Sequence, residues 1–175
     1  MEISGRLWCE GAAQRCSADC ALLAGCVTST RDRLLKTELA RDMVTGHAVA
    51  GTPFGWVTGD EVYGRSRRLR EACEDAEKGY VFAIPVNFKV TLPSGRKIPA
   101  GMLAGLIPAT AWQTRSCGRG CKGHRHYHWA WAATASPRHW VLIRRSIADP
   151  ADLAFFYCHA PAGRPDSLGP SLFAF

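Results

Sequence analysis

A chain of 175 residues is long enough to bury a hydrophobic core as one domain without disulfide bonds. Its composition, 47% hydrophobic and 21% charged, is typical of a globular protein. No run of about 18 apolar residues and no cleavable signal pattern is present, so a membrane-spanning or secreted chain is not expected. We expect a cytoplasmic protein with reduced cysteines, and the net charge of +7 favours a polyanionic partner.

The N-terminal third of the chain changes character near residue 34. Residues 1–33 show no sustained periodicity and are predicted to be poorly ordered. A helix is predicted from Leu35, because apolar residues up to Val44 fall on one face, and Gly46 is expected to end it. Residues 54–58 are aromatic and β-branched, which predicts a buried strand with Asp60 at its C-terminal tip.

A β-α-β unit is predicted over residues 54–84. Between Arg65 and Lys78, four apolar residues repeat at i, i+3, i+4 and i+7, and Gly79 is expected to stop this amphipathic helix. Residues 80–84 form a second continuous apolar run. The two strands should be parallel and buried on both faces.

The second half of the chain is predicted to be mainly β-structure. Residues 91–125 are rich in Gly, Pro and basic groups and indicate an insertion or long connection, with a short helix near Met102–Ile107. Strands are predicted at residues 127–134, 140–143 and 153–157. No element is predicted for the tail.

Asp60 is the residue with the most direct chemical meaning. Carboxylates at the C-terminal ends of strands in an α/β sheet can ligate a hard cation such as Mg²⁺. An isolated acid in this position is more often an exposed turn carboxylate, so the surrounding residues decide between the two readings.

Those residues resemble a known family. The string GTPFGWVTGDEVYG, the following Arg-rich helix and GYVFAIPVN are similar to the DDE superfamily endonuclease domain of bacterial insertion-sequence transposases. KTELARDMV, KGHRHYHWA and WVLIRRSIADPADLAFFYCHAPAG occur in the same order. The resemblance implies a partial RNase H-like α/β domain over residues 34–165, preceded by a non-homologous segment (1–33) and followed by a divergent tail (166–175).

The resemblance also implies an active site of two Asp and one Glu around a pair of Mg²⁺ ions, which performs DNA cleavage and strand transfer in transposition. Asp60 matches the second acid and is the implied metal ligand and catalytic residue. No residue upstream matches the first Asp, and no downstream helix supplies the Glu. Glu61 is not expected to share the metal, because successive strand residues point to opposite faces. The chain is therefore expected to be an inactive transposase remnant.

Basic residues flank the predicted strands. By resemblance, Arg65, Arg67, Arg68, Lys122 and Arg125 are expected to contact DNA phosphates at transposon ends, without reading base sequence. The alternative is that they are solvated surface groups. A non-catalytic fragment of this kind could bind DNA or associate with a full-length transposase and interfere with it.

A zinc site is a separate alternative. Cys117, Cys121, His124, His126 and His128 are residue types that bind Zn²⁺. Their spacing argues against it, because standard fingers separate the two ligand pairs by about a dozen residues.

Overall fold

A computed structural model describes residues 36–120 and 123–161, except for the side chains of residues 118–124. The predictions for residues 1–33 and 166–175 therefore lie outside the described residues. The elements in chain order are α1 (Lys36–Val49), β1 (Trp56–Gly59), α2 (Glu61–Gly64), α3 (Arg67–Asp75), β2 (Gly79–Ile84), β3 (Lys89–Thr91), β4 (Lys97–Pro99), β5 (Gln113–Gly120), β6 (Gly123–Ala133), β7 (His139–Ser146) and β8 (Leu153–His159).

Six of these strands form one mixed sheet in the order β1-β2-β8-β7-β6-β5. The pair β1–β2 is parallel, and the other neighbours are antiparallel. The parallel pair, joined through α2 and α3, confirms the β-α-β unit predicted for residues 54–84 and makes the fold a mixed α/β one. In the described part of the chain β1 and β5 are the edge strands.

The helices and a small hairpin pack on one face of the sheet. Val44 of α1 and Leu69 of α3 share a buried cluster with Tyr80 and Phe82 of β2. The β3–β4 hairpin buries Val90 and the residues near it against the other end of that face. The opposite face carries its own cluster, which comprises Val81, Cys117, Trp129, Leu142 and Cys158.

Burial corrects the prediction for β1. Val57 is buried, but Trp56 is 37% exposed and Thr58 is exposed, so β1 alternates and is not buried on both faces. An edge strand with helices on one side has one buried face, which accounts for the difference. For β2 the prediction holds, since five of its six residues are buried.

The end of α1 also differs from the prediction. Gly46 lies inside the helix, which continues to Val49. The stop is Gly51, whose φ of 68° is left-handed, and the bonds Thr52 N to His47 O and Gly51 N to Ala48 O complete a Schellman motif. Met43, predicted for the buried face, is 52% exposed.

The helix after Asp60 is split in two. The short α2 was not predicted, and α3 begins after Ser66, whose side chain accepts a hydrogen bond from Leu69 N. The stop of α3 is Glu77, with a φ of 53°, and not Gly79 as predicted. The bonds Lys78 N to Cys73 O and Glu77 N to Glu74 O form a second Schellman motif around it.

The predicted insertion contains more structure than expected. Its Gly- and Pro-rich sequence forms β4, all of β5 and short 3-10 turns, two of which replace the helix predicted near Met102–Ile107. The three later strands occur where they were predicted and are longer by a few residues at their ends.

No helix among the described residues is long and apolar enough to cross a membrane.

Candidate functional site

Asp60 lies directly after the edge strand β1 and precedes the first turn of α2. Its side chain is the N-cap of that helix, with Oδ1 accepting a hydrogen bond from Val62 N at 2.9 Å. The residue is exposed. The sequence prediction of a carboxylate at the tip of this strand is therefore confirmed, and one of its oxygens already has a structural role.

The neighbouring acid points elsewhere. Glu61 Oε1 accepts from Arg65 Nη2 at 2.5 Å, an i,i+4 ion pair on the exposed side of α2. The described partner of the Glu61 carboxylate is thus the Arg65 guanidinium. Glu61 lies in the first turn of α2, so the strand alternation from which we expected it to face away from Asp60 does not apply to it.

The Mg²⁺ expectation can be tested on the donor set around Asp60. A metal pair for phosphoryl transfer needs several carboxylate oxygens to bridge and fix the two ions. Across residues 36–120 and 123–161, no group of three or more Asp, Glu, His or Cys side chains could hold a metal ion. The described residues therefore do not fit a two-metal centre, and no reaction step is assigned to one.

Three of the expected DNA-contacting arginines are already paired with carboxylates. The ion pairs are Arg65 with Glu61 at 2.5 Å, Arg67 with Glu71 at 2.7 Å and Arg68 with Glu38 at 3.7 Å. All three arginines are exposed, so each pair contributes only about 0–1 kcal/mol and can open. Lys122 lies outside the described residues, and Arg125 is exposed.

Arg125 belongs to a two-stranded ribbon that extends beyond the rest of the sheet. The last pair between β6 and β7 is Tyr127 with Ser146, whereas β5 and β6 continue to pair as far as Gly120 with Gly123. We call residues 116–120 and 123–126 the β5–β6 ribbon. Its sequence carries Arg119 and Arg125 and surrounds Lys122, so it is a basic protrusion of the sheet.

The zinc alternative can be examined in part. Cys121 and the side chain of His124 lie outside what the structure describes. Cys117 is buried with Trp129 on one face of the sheet, and burial raises the pKa of its thiol. His128 is one residue from Trp129 and so faces the other side, where its Nδ1 lies 3.0 Å from Thr114 Oγ1. Cys117 and His128 therefore cannot share a tetrahedral ion.

A further polar cluster lies elsewhere, where Glu74 of α3 meets residues of β2, β7 and β8. Strand register places Tyr80, His159 and His139 side by side, because Tyr80 and His139 both pair with His159. The side chain of Glu74 in α3 contacts two of these residues. Its Oε1 accepts from Tyr80 OH at 2.9 Å and lies 3.0 Å from His139 Nε2.

The other ring nitrogen of His139 faces the turn between β6 and β7. Its Nδ1 lies 2.7 Å from Ser136 Oγ, and the same oxygen accepts a hydrogen bond from Arg138 N at 3.4 Å. A chain of hydrogen bonds therefore runs from Tyr80 through Glu74 and His139 to Ser136. Ser136 is half-buried, and the side chain of His139 is 15% exposed.

A groove of about 440 Å³ opens over this chain of bonds, and Ser136, His139 and Glu74 all line it. Arg70 forms part of the wall, with its guanidinium 5.4 Å from the ring centroid of Phe88 and 5.6 Å from that of Tyr157. Its Nη1 also donates to Gly64 O. These contacts hold a half-buried cation at the groove, as expected when a guanidinium stacks on aromatic rings.

Protonation in the cluster follows from burial and hydrogen bonding. Burial opposes ionisation of Glu74, but the hydrogen bonds from His139 and Tyr80 outweigh it and lower the pKa of the carboxyl. Burial, with the Glu74 charge beside it, raises the pKa of Tyr80. Burial lowers the pKa of His159, even though its Nδ1 bonds Lys78 O. The cluster thus holds an ionised Glu74 and a neutral His159.

Sequence reasoning did not find this cluster. Glu74 and His139 are 65 positions apart, and neither lies in a recognised motif. Glu74 occupies the polar side of an amphipathic helix, where a carboxylate is ordinary. The one usable signal was the alternation His139, Val141, Ile143, which places His139 on the same face of β7 as two core residues.

Comparisons with protein-family models, with characterised proteins and with solved structures gave no match.

Proposed function

We propose that this chain derives from a DDE transposase and binds DNA through phosphate contacts without cleaving it. The observation that carries the proposal is the position of Asp60. It lies at the C-terminal tip of a strand in a parallel β-α-β unit, where the resembled family has its second acid, and the described residues form no group of three or more acidic, His or Cys side chains that could hold a metal ion. A single carboxylate that also caps a helix cannot fix two metal ions.

The β5–β6 ribbon is the proposed DNA contact. A two-stranded antiparallel ribbon has a width that a DNA groove admits, and arginines on it can neutralise phosphates. Arg125 is exposed and has no carboxylate within ion-pair distance among the described residues, in contrast to Arg65, Arg67 and Arg68. Binding should therefore depend more on the ribbon than on α3.

The test compares two matched substitutions in a DNA-binding titration. Binding of a fluorescent 30-base-pair duplex of arbitrary sequence is measured by anisotropy across a salt series. Arg125→Ala should weaken binding to all sequences and reduce the slope of log K against log salt by about 1. Arg67→Ala is the control, because its charge is already opposed by Glu71, and it should change the slope much less.

Cleavage is measured on the same duplex with Mg²⁺ and with Mn²⁺, using Asp60→Asn as the comparison. We expect no cleavage above background in either protein. Cleavage that Asp60→Asn abolishes would contradict the non-cleaving part of the proposal. Absence of salt-dependent binding at low ionic strength would contradict the DNA-binding part.

A further inference from the structure

The groove over Glu74 and His139 has a hydrogen-bond pattern that a single tautomer satisfies. With the proton on Nε2, His139 donates to the ionised Glu74, which also accepts from Tyr80. Nδ1 is then an acceptor and receives the hydroxyl proton of Ser136, whose oxygen accepts from Arg138 N. The serine hydroxyl is therefore directed at a base, and that base is oriented by a carboxylate.

We propose that this groove is an acyl-transfer site in which Ser136 is the nucleophile, His139 the general base and Glu74 the residue that orients His139. A nucleophile within hydrogen-bond reach of a base, and that base held by a third group, is the arrangement that activates a serine. The two bonds to His139 measure 2.7 and 3.0 Å. Nothing in this inference depends on DNA binding or on Asp60.

The reaction would be hydrolysis of a carboxylic ester. Ser136 Oγ forms a bond to the carbonyl carbon while its proton passes to His139 Nδ1. The carbon–oxygen bond to the alcohol breaks as Nδ1 returns that proton to the leaving oxygen. Water then attacks the acyl-serine through the same base, which releases the carboxylic acid and restores the Ser136 hydroxyl. Glu74 stabilises the imidazolium through Nε2 in both stages.

The groove also indicates the class of ester. Arg70, Arg67 and Lys89 line it, and Glu71 already opposes Arg67, so Arg70 and Lys89 are the cations left to meet a ligand. The rings of Phe88 and Tyr157 supply apolar wall. This combination suits an acyl group that carries its own carboxylate, such as the half-ester of a dicarboxylic acid, because the free carboxylate can pair with these cations.

The test uses the full chain with two chromogenic probes, p-nitrophenyl acetate and the mono-p-nitrophenyl ester of succinic acid. We expect a burst of p-nitrophenolate, with the succinyl group located on Ser136 by mass spectrometry. Ser136→Ala should abolish the burst, and Glu74→Gln should slow acylation by at least about a hundredfold, because His139 loses the carboxylate that orients it and stabilises its imidazolium. Ser94→Ala removes an exposed loop serine and is the matched control, with the burst unchanged.

Selectivity is tested with Lys89→Glu. This change should raise the half-saturating concentration of the succinyl ester at least several-fold and leave the acetyl ester unaffected. An equal effect on both esters would overturn the assignment of an anionic acyl group.

A second variant keeps the test decisive if Ser136→Ala fails to fold. Ser136→Cys retains a nucleophile in the same turn, and beside His139 its thiol should ionise at lower pH than an exposed thiol. We expect iodoacetamide to alkylate Cys at position 136 at least ten times faster at pH 6.5 than Cys introduced at position 94, as measured on isolated peptides. Equal rates, or wild-type protein that is never acylated at Ser136, would overturn the proposal and leave the cluster as a brace for the turn.

Discussion

The tip of β1 and the groove under α3 are two polar sites built in opposite ways. At the tip of β1, sequence likeness singles out Asp60, yet its described contact is a single helix cap. Under α3, no motif singles out Glu74, yet it is hydrogen-bonded to two side chains from two strands. Sequence likeness can thus single out a residue with one described contact, while hydrogen-bond partners gather where no motif predicts a site.

Gly64 gives the largest expected effect, because it connects the two regions. A Cβ at this position would overlap the carbonyl oxygen of Ala83 and press on the side chain of Ile84, and the carbonyl of Gly64 accepts from Arg70. Since backbone cannot yield as a side chain can, Gly64→Ala should destabilise the fold by about 3 kcal/mol or more. Gly105→Ala meets nothing within 4 Å and is the control in urea denaturation. Equal midpoints for the two variants would contradict this close packing.

Removing the charge of Glu74 should have the next largest effect. Glu74→Gln keeps the shape of the side chain but replaces two charge-assisted hydrogen bonds with neutral ones. Because the side chain is 34% exposed, the expected loss of unfolding free energy at pH 7 is about 1 kcal/mol, below the roughly 1.5–3 kcal/mol typical of bonds to a charged group. Glu71→Gln is the control on the same helix. It removes only the exposed ion pair with Arg67 and should lower the free energy of unfolding by less than Glu74→Gln does. A smaller loss at 74 than at 71 would mean that the cluster is not a stabilising contact.

The pH dependence separates the groups of this cluster. The folded-state pKa of Glu74 is below its usual value of 4.5, so its contribution is fully present above 4.5 and is lost as pH falls through the folded pKa. The pKa of His159 is also lowered, from 6.5, so burial of its neutral form stabilises the fold above 6.5 and this stabilisation falls as the pH drops below it. In urea denaturation followed across pH, Glu74→Gln should flatten the lower window and His159→Asn the upper one. A single window that both variants abolish would contradict separate pH windows for the two groups.

Asp60 should matter less for stability. Asp60→Ala removes the cap on a four-residue helix and should cost about 0.5–1 kcal/mol, whereas Asp60→Asn retains a capping oxygen and should be close to wild type. The pair is compared by thermal unfolding. If Asp60→Asn proved as costly as Asp60→Ala, the charge and not the cap would be the stabilising feature.

The features that the sequence predicted correctly depend on residues close together in the chain. The repeat of Leu69, Ala72, Cys73 and Ala76 predicted α3. The apolar runs on either side of that helix predicted the parallel β1–β2 pair. The position of Asp60 at a strand tip is also a local feature, so it was predicted correctly.

The remaining differences arise from tertiary contacts. Edge position exposed Trp56, and the four residues of α2 are too few to show a period. The approach of Glu74 to His139 depends on the register of β2, β8 and β7, which no local pattern specifies. Local periodicity therefore predicted the elements, and strand register determined which polar groups meet.

The smallest predicted effect is a gain in stability at the end of α3, where sequence reasoning placed the stop at Gly79. The left-handed residue is Glu77, with a φ of 53°, and a side chain there costs about 1 kcal/mol relative to glycine. Part of that gain is offset because glycine loses more entropy on folding. Glu77→Gly should therefore stabilise the fold by about 0.5 kcal/mol in urea denaturation. Gly79→Ala should do the reverse, because its Cβ would lie 2.5 Å from Cε3 of Trp56. Gly79 thus makes room for an aromatic ring, and the left-handed residue that stops α3 lies two residues earlier; destabilisation by Glu77→Gly would refute the left-handed turn at Glu77.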